Sequence, residues 1–259
     1  MSYENIVLEK REGIAFLRVD RPSALNALNA ATITELEHAI DDVAKDEQVG
    51  ALIWHGEGKA FIAGADIKEL ATLSPIEAKR LARRGQLLLG RLEGMGKPSV
   101  AAIGGFALGG GCEVALACTL RVAGDRARLG LPEVGLGLIP GYGGTQRLPR
   151  IVGTGRALEL ILTAEMVGAE EAHRIGLVNR IVDDAELLDA ATALAKRIMA
   201  NGPLAVEAAI ESVHRGSDLA LDDGLVLETC QFGVLAGTND MREGTQAFIE
   251  KRKPDFKRS

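Results

Sequence analysis

Ser99-Val100-Ala101-Ala102-Ile103-Gly104-Gly105-Phe106-Ala107-Leu108-Gly109-Gly110-Gly111-Cys112-Glu113-Val114-Ala115-Leu116-Ala117-Cys118-Thr119-Leu120-Arg121-Val122-Ala123 carries the pattern on which the fold turns. Its first five residues are small or β-branched and apolar, which predicts a buried strand. A glycine-rich turn follows, a helix is expected to begin near Gly111, and Leu120–Ala123 reads as a further strand. Strand, helix, strand in this order points to the α/β class. One residue is out of place in such apolar company. Glu113 falls in the first turn of the helix, and ionised carboxylates are rarely buried without a partner. The same residue argues against a membrane span from Ser99 to Leu120, because a charge at mid-bilayer depth is costly.

Upstream, Ile6–Glu9 and Gly13–Val19 read as short strands joined by a polar turn at Lys10-Arg11-Glu12. A helix is expected from about Ala30 to Asp46, with Ile33, Leu36, Ile40 and Val43 forming one apolar stripe. Ala51–His55 is an interior strand. Ala60–Ile67 is a second, which turns through small residues into another helix. Ser74-Pro75-Ile76-Glu77 has the form of a capping box, opening a helix toward Arg91 that Lys97-Pro98 breaks. Downstream, Leu177–Val182 reads as a strand entered from a short helix that Gly176 terminates. Beyond Asp184 the pattern is helical: Ala185–Ala200, Pro203–Arg215, Leu219–Ala236 and Asp240–Lys251. The chain therefore divides into an α/β core over residues 1–195 and a helical region over 196–259.

The 259 residues carry 47% hydrophobic side chains, enough for one large packed core. A net charge of -6 argues against a protein that grips nucleic acid or an anionic membrane through its overall field. Cys112, Cys118 and Cys230 form no CxxC pair, and Met1-Ser2-Tyr3-Glu4-Asn5 lacks the basic-then-apolar pattern of a secretory signal. Both features lead to the expectation of a cytoplasmic protein with free thiols. Cys112 and Cys118 read as small core residues. His38, His55, His173 and His214 make no HExxH and are expected at the surface or at helix ends. GxSxG, Walker and GxGxxG strings are absent, which disfavours a serine hydrolase, a P-loop enzyme and a dinucleotide oxidoreductase.

A second glutamate, Glu133, sits in Leu131-Pro132-Glu133-Val134-Gly135-Leu136-Gly137. Two carboxyls in glycine-dense, uncharged surroundings are candidates for a paired general acid and base. Glu113 at a helix start is expected to feel the dipole and stay ionised. Glu133, in apolar company, is expected to be held protonated by desolvation. Glycines at 109–111 let the backbone approach a ligand closely, and a helix starting there aims its positive end at the same spot. Ala63-Gly64-Ala65-Asp66 offers a second such N–H. Two N–H groups on one oxygen form an oxyanion hole, worth about 2.7–4 kcal/mol per donor in the best-studied protease. Asp66 itself is expected to cap the following helix.

Arg21-Pro22-Ser23-Ala24-Leu25-Asn26-Ala27-Leu28, Ala63–Ile67, Ala107–Glu113, Pro132-Glu133, Pro140–Leu148 and Met241–Arg252 together resemble the crotonase (enoyl-CoA hydratase/isomerase) superfamily, most closely its bacterial-type hydratases. The resemblance runs from about residue 5 to 257. It implies a spiral of ββα units followed by a helical trimerisation region, assembled as a homotrimer or a homohexamer. It implies an acyl-CoA thioester as substrate, coenzyme A being part of that substrate, with no metal and no further cofactor. The oxyanion hole implied is the N–H groups of Ala65 and Gly110. Hydratases carry glutamates at the positions of both Glu113 and Glu133, so the pair implies hydration of a trans-2-enoyl-CoA to the 3-hydroxyacyl-CoA. A Δ3-Δ2-enoyl-CoA isomerase and an RNA-binding relative are the alternatives within the same superfamily.

For coenzyme A, the resemblance places the adenine near Ala24, Leu25, Ala63, Gly64 and Ala65, and Asp66, Ile67 and Gly109 are further substrate-binding candidates. Lys59, Lys68 and Lys251, the last in the run Lys251-Arg252-Lys253, are the candidate phosphate partners. Ser23 stands where several family hydratases carry a basic residue. Leu92, Met95, Tyr142 and Phe256 are candidates for the acyl pocket, although nothing in the sequence places them there.

Overall fold

The structure, a computed structural model, describes residues 3–259; Met1 and Ser2, with which the N-terminal reading begins, lie outside it. Its strands are β1 (Ile6–Arg11), β2 (Ile14–Val19), β3 (Ala51–Gly56), β4 (Ala60–Ala63), β5 (Ser99–Ile103), β6 (Phe106–Leu108), β7 (Leu120–Gly124), β8 (Arg128–Gly130), β9 (Val167–Gly168) and β10 (Arg180–Val182). Its helices are α1 (Ala30–Lys45), α2 (Ile67–Leu70), α3 (Pro75–Glu93), α4 (Gly110–Ala117), α5 (Gly144–Val152), α6 (Thr154–Thr163), α7 (Ala169–Arg174), α8 (Leu187–Met199), α9 (Pro203–Gly216), α10 (Leu221–Leu235) and α11 (Asn239–Glu250).

The strands form two sheets, ordered β1-β2-β3-β5-β7-β10 and β4-β6-β8-β9. Each of the pairs β3/β4, β5/β6 and β7/β8 puts its first strand in the larger sheet and its second in the smaller, then hands the chain to a helix. This is the expected spiral of ββα units. Pairing is parallel from β2 to β10, and only the β1–β2 hairpin and β8–β9 run antiparallel. The hairpin differs from the sequence reading. Strand β1 continues to Arg11, and the turn is the two residues Glu12 (φ 52°) and Gly13 (φ 74°). Positive φ at both central positions makes a turn whose twist matches that of the strands.

The larger sheet is buried on both faces, which explains its unbroken apolar runs. On one face Ala15, Leu17, Leu52, Trp54, Ala101 and Ile103 pack with α1, α3 and α4. On the other, Ile14, Phe16, Ile53, Val100 and Val122 meet Leu187, Ala191, Leu194 and Ala195 of α8. The 195/196 division read from sequence falls inside α8, whose last residue, Met199, still packs on that second cluster. Helix α4 touches β4, β5 and β6. It approaches β4 so closely that a Cβ at Gly111 would stand 1.9 Å from the Ile62 carbonyl oxygen. Arg121, only 7% exposed, donates from Nη1 to the carbonyls of Cys118 (2.7 Å) and Ala115 (3.4 Å) at the C-terminal end of α4.

The C-terminal helices are different. No residue of α10 is buried, yet Leu221, Leu225, Val226, Phe232 and Val234 are among its side chains. Among the described residues no helix is long and apolar enough to cross a membrane.

Candidate active site

Two loops carry the backbone donors. Asn26 is fully buried; its Oδ1 accepts from Arg21 N (2.9 Å) and its Nδ2 donates to the carbonyls of Glu57 (2.9 Å) and Ala60 (2.7 Å). These bonds fix the 21–28 loop against the β3–β4 turn, and Leu28 then bridges to Ala65: Leu28 N donates to Gly64 O and Asp66 N to Leu28 O, both at 2.8 Å. Arg21 completes the brace through a 3.2 Å ion pair with Asp66. Asp66 caps α2 by accepting from Lys68 N, as its place in the sequence suggests. The N–H of Ala65 is left without a hydrogen-bond partner among the described residues. On the second loop Gly109 N donates to Gly130 O, so the chain leaves the smaller sheet and enters α4 in one residue. Gly110 N, the first in α4, has no partner among the described residues.

Ala65, Gly110, Glu113 and Glu133 line one cavity of about 220 Å³. Ala63, Gly64, Ile67, Gly109 and Tyr142 line it too, as do Ala78, Leu81 and Ala82, which share one face of α3. Glu113 is 1% exposed. Its Oε1 accepts from Tyr142 N (2.8 Å) and Gly144 N (2.7 Å). Burial raises its pKa from 4.5 to about 7, assisted by the neighbouring Glu133; the two N–H donors and Arg147 pull the other way. The sequence reading, in which the helix dipole keeps Glu113 ionised, needs correction on this point. A helix terminus contributes about 0.3–1 kcal/mol, whereas complete burial moves a carboxyl by as much as 3–5 pH units.

Glu133 is the second residue of a 3-10 turn, Pro132–Leu136. Desolvation raises its pKa as well, and its buried Oε2 has no hydrogen-bond partner. Its Oε1 lies where a Cβ at Gly109 would be 2.8 Å away, and Gly109 has φ 50°. Glycine at 109 is therefore required by backbone and neighbour alike. The thiols of Cys112 and Cys118 are buried and pushed up to about 12, in keeping with their reading as core residues.

The remaining sequence candidates are scattered. Ala24 closes a short 3-10 turn and Leu25 accepts at its carbonyl from Ala63 N, so both border the strand that leads into the cavity. Lys68 lies on exposed α2, and Lys251 is the C-cap of α11. Lys59 lines a separate hollow with His55, Arg126 and Asp184. His55 is half-buried in β3 rather than at the surface, and desolvation lowers its pKa. Of the acyl-pocket candidates only Tyr142 lines the cavity. Leu92 and Met95 belong to the main core, and Phe256 packs near Gly202 and Gly244. Leu92 lies on the same face of α3 as Leu81 but about three turns farther along, where that face packs on the core with Leu88 and Leu89. The amides of Tyr142 and Gly144 went unrecognised from sequence, because a backbone donor leaves no residue-type signature.

Comparison with known proteins gives the same picture. The family described as Enoyl-CoA hydratase/isomerase matches residues 9–259. A crotonyl-CoA hydratase of Syntrophomonas wolfei is 47% identical over 257 residues, 99% of either chain. A short-chain-enoyl-CoA hydratase of Clostridium acetobutylicum is 45% identical, over 98% of this chain and 97% of that one. Among solved structures, an enoyl-CoA hydratase from Bacillus anthracis superposes with a TM-score of 0.96 at 38% identity, covering 99% of this chain and all of its own. Two carboxyls facing unpartnered amides across one cavity, on a two-sheet spiral and with full-length relatives of this kind, place the chain in the enoyl-CoA hydratase/isomerase family.

Proposed function

We propose that this protein reversibly adds water to trans-2-enoyl-CoA thioesters, giving 3-hydroxyacyl-CoA. The observation that carries the reading is that Glu113 and Glu133 border a cavity also lined by Ala65 and Gly110, whose N–H groups have no partner among the described residues. The thioester oxygen accepts from these two amides. Ionised Glu113 takes a proton from a water whose oxygen bonds to C3; the electron pair of the C2–C3 double bond moves toward the thioester, and the resulting enolate is held at the oxyanion hole. Glu133, protonated, delivers its proton to C2, and the proton taken up by Glu113 returns to Glu133 through solvent water before the next turnover. Above its pKa of about 7 Glu113 is ionised and its two N–H donors favour that form, whereas Glu133 Oε2 has no hydrogen-bond partner, which supports this division. Coenzyme A enters as part of the substrate, and no further cofactor is invoked.

The cavity size and the names of the two most similar relatives cited above favour a short acyl group. Residues 196–259 form the assembly region of a trimer or a dimer of trimers in a cytoplasmic enzyme. The unburied apolar side chains of α10 support that role, since exposed apolar surface on this scale needs something to cover it. Lys59, Lys68 and Lys251 remain the candidates for the CoA phosphates.

The test is to offer the protein crotonyl-CoA and, separately, a 3-enoyl-CoA. Loss of the ultraviolet absorbance of the conjugated thioester on mixing with crotonyl-CoA is expected. No loss from crotonyl-CoA, with conjugation appearing from the 3-enoyl substrate, overturns hydration in favour of isomerisation.

A further inference from the structure

We propose that Arg147, locked by Glu93, is a positioning residue that holds the Tyr142–Gly144 loop against Glu113 and sets the charge that Glu113 feels. The inference rests on the reading of Glu113 as the base. Arg147 lies on α5 and Glu93 ends α3, so the two come from elements 54 residues apart in sequence. Their pairing is bidentate, Nε to Oε1 and Nη2 to Oε2, both at 2.6 Å. The guanidinium's third edge is also used: Nη1 donates to the Tyr142 carbonyl at 2.8 Å. That carbonyl belongs to the segment whose Tyr142 and Gly144 amides hold Glu113 Oε1. Glu93, Arg147, the loop and the carboxylate thus form one continuous chain of hydrogen bonds.

Gly143 shows how closely this chain is built. It has φ 112°, and a Cβ there would stand 2.2 Å from Arg147 Nη1. The guanidinium occupies the space that a side chain would need. Both side chains are only about one-fifth to one-quarter exposed, 19% for Arg147 and 28% for Glu93, so solvent screens them less than surface charges. Arginine suits the task because its planar fork can grip a carboxylate and still donate at a fixed angle to a third acceptor.

The titratable groups around Glu113 are few. Glu133 faces it from the 132–136 turn, Tyr142 from the loop, Arg147 from α5 and Cys112 from its own helix. Helix α3 contributes Glu93, and also Arg84, which is tied to Glu37. The strands β4, β5 and β6 that pack on α4 contain no charged residue. Arg147 is the cation that lowers the Glu113 pKa, and Glu93 partly neutralises it.

The signs of the two substitutions therefore differ. Arg147→Gln removes the cation and is expected to move the acid limb of kcat/KM to higher pH. Glu93→Gln leaves the cation uncompensated and is expected to move it to lower pH. Arg147→Lys keeps the charge without the fork, so the limb stays in place while kcat falls and KM is little changed. The same midpoints are read without substrate by following the Glu113 carboxyl in the 13C NMR spectrum, assigned with Glu113→Gln. Wild-type turnover of crotonyl-CoA tests the hydratase reading separately. Opposite displacements support the inference; displacement of both limbs in one direction, or of neither in folded protein, overturns it.

Discussion

Replacing Glu113 by glutamine removes the proposed base, and it is also expected to stabilise the protein above neutral pH. The magnitude follows from the site. The carboxyl titrates at 4.5 in an ordinary setting and at about 7 when folded. At ~1.4 kcal/mol per pH unit, keeping it ionised in the folded state costs about 3 kcal/mol. Below 4.5 both states hold the proton and the cost vanishes. Between 4.5 and 7 the folded state binds more protons than the unfolded one, so wild-type stability falls as pH rises, and above 7 the loss is complete. Glutamine keeps an oxygen acceptor for the Tyr142 and Gly144 amides and has no such pH dependence. Its new N–H groups reduce the gain, so ~3 kcal/mol is the upper limit. Thermal unfolding of both proteins at pH 4.5 and pH 8, at equal protomer concentration, reads the effect. At ~2–4 °C per kcal/mol, a rise in Tm of up to ~10 °C at pH 8, with little difference at pH 4.5, is expected. A variant no more stable than wild type at pH 8, or offset equally at both pH values, refutes the claim that burial raises this carboxyl.

Other consequences are read from the same geometry. Gly144→Ala puts a Cβ 3.1 Å from Glu113 Cγ and 2.9 Å from Leu131 Cδ1, so kcat for crotonyl-CoA is expected to fall tenfold or more, by the ~1.4 kcal/mol such crowding costs, with a smaller change in KM. The Tyr142 ring lies between the cavity and Gly85 of α3, where a Cβ would meet it at 2.2 Å, and its hydroxyl is buried without a partner. Tyr142→Phe is therefore expected to leave activity and stability nearly unchanged. Tyr142→Ala is expected to raise the kcat/KM for an eight-carbon substrate relative to a four-carbon one, measured on the two acyl-CoAs side by side. Phe232, 77% exposed on α10, is expected to be covered in the assembly. Phe232→Lys should lower the mass found by light scattering, and an unchanged mass removes α10 from the interface.

Local patterns made much of this protein readable before its structure. The strand at Ser99–Ile103, the helix start at Gly110 and the capping box at Ser74 depend on residues within one or two turns of each other, and each appears as expected. Of the smaller sheet, only β4 was legible. Strands β6 and β8 have three residues each and exist because the β5 and β7 connections bring them side by side. Helix α5 was hidden by Pro149 in its interior, a residue that ordinarily argues for a break. At the site, the identity of the two glutamates could be read from their setting and the family resemblance. The state of Glu113 could not, because it depends on burial in the folded core, on Glu133 20 positions away and on two amides from the 142–144 loop. The Arg147–Glu93 pair was out of reach for the same reason, although Arg147 stands within the Pro140–Leu148 string that carries the family resemblance.

The central claim is that two carboxyls share the hydration, one taking a proton from water and the other giving one to C2, and single-turnover hydration of crotonyl-CoA by wild type, Glu113→Gln and Glu133→Gln tests it most directly. Each general acid or base contributes roughly 10²–10⁴-fold, so each variant, still folded and still binding the thioester, is expected to lose at least a hundredfold in rate. A variant that stays within a few fold of wild type contradicts the two-carboxylate mechanism.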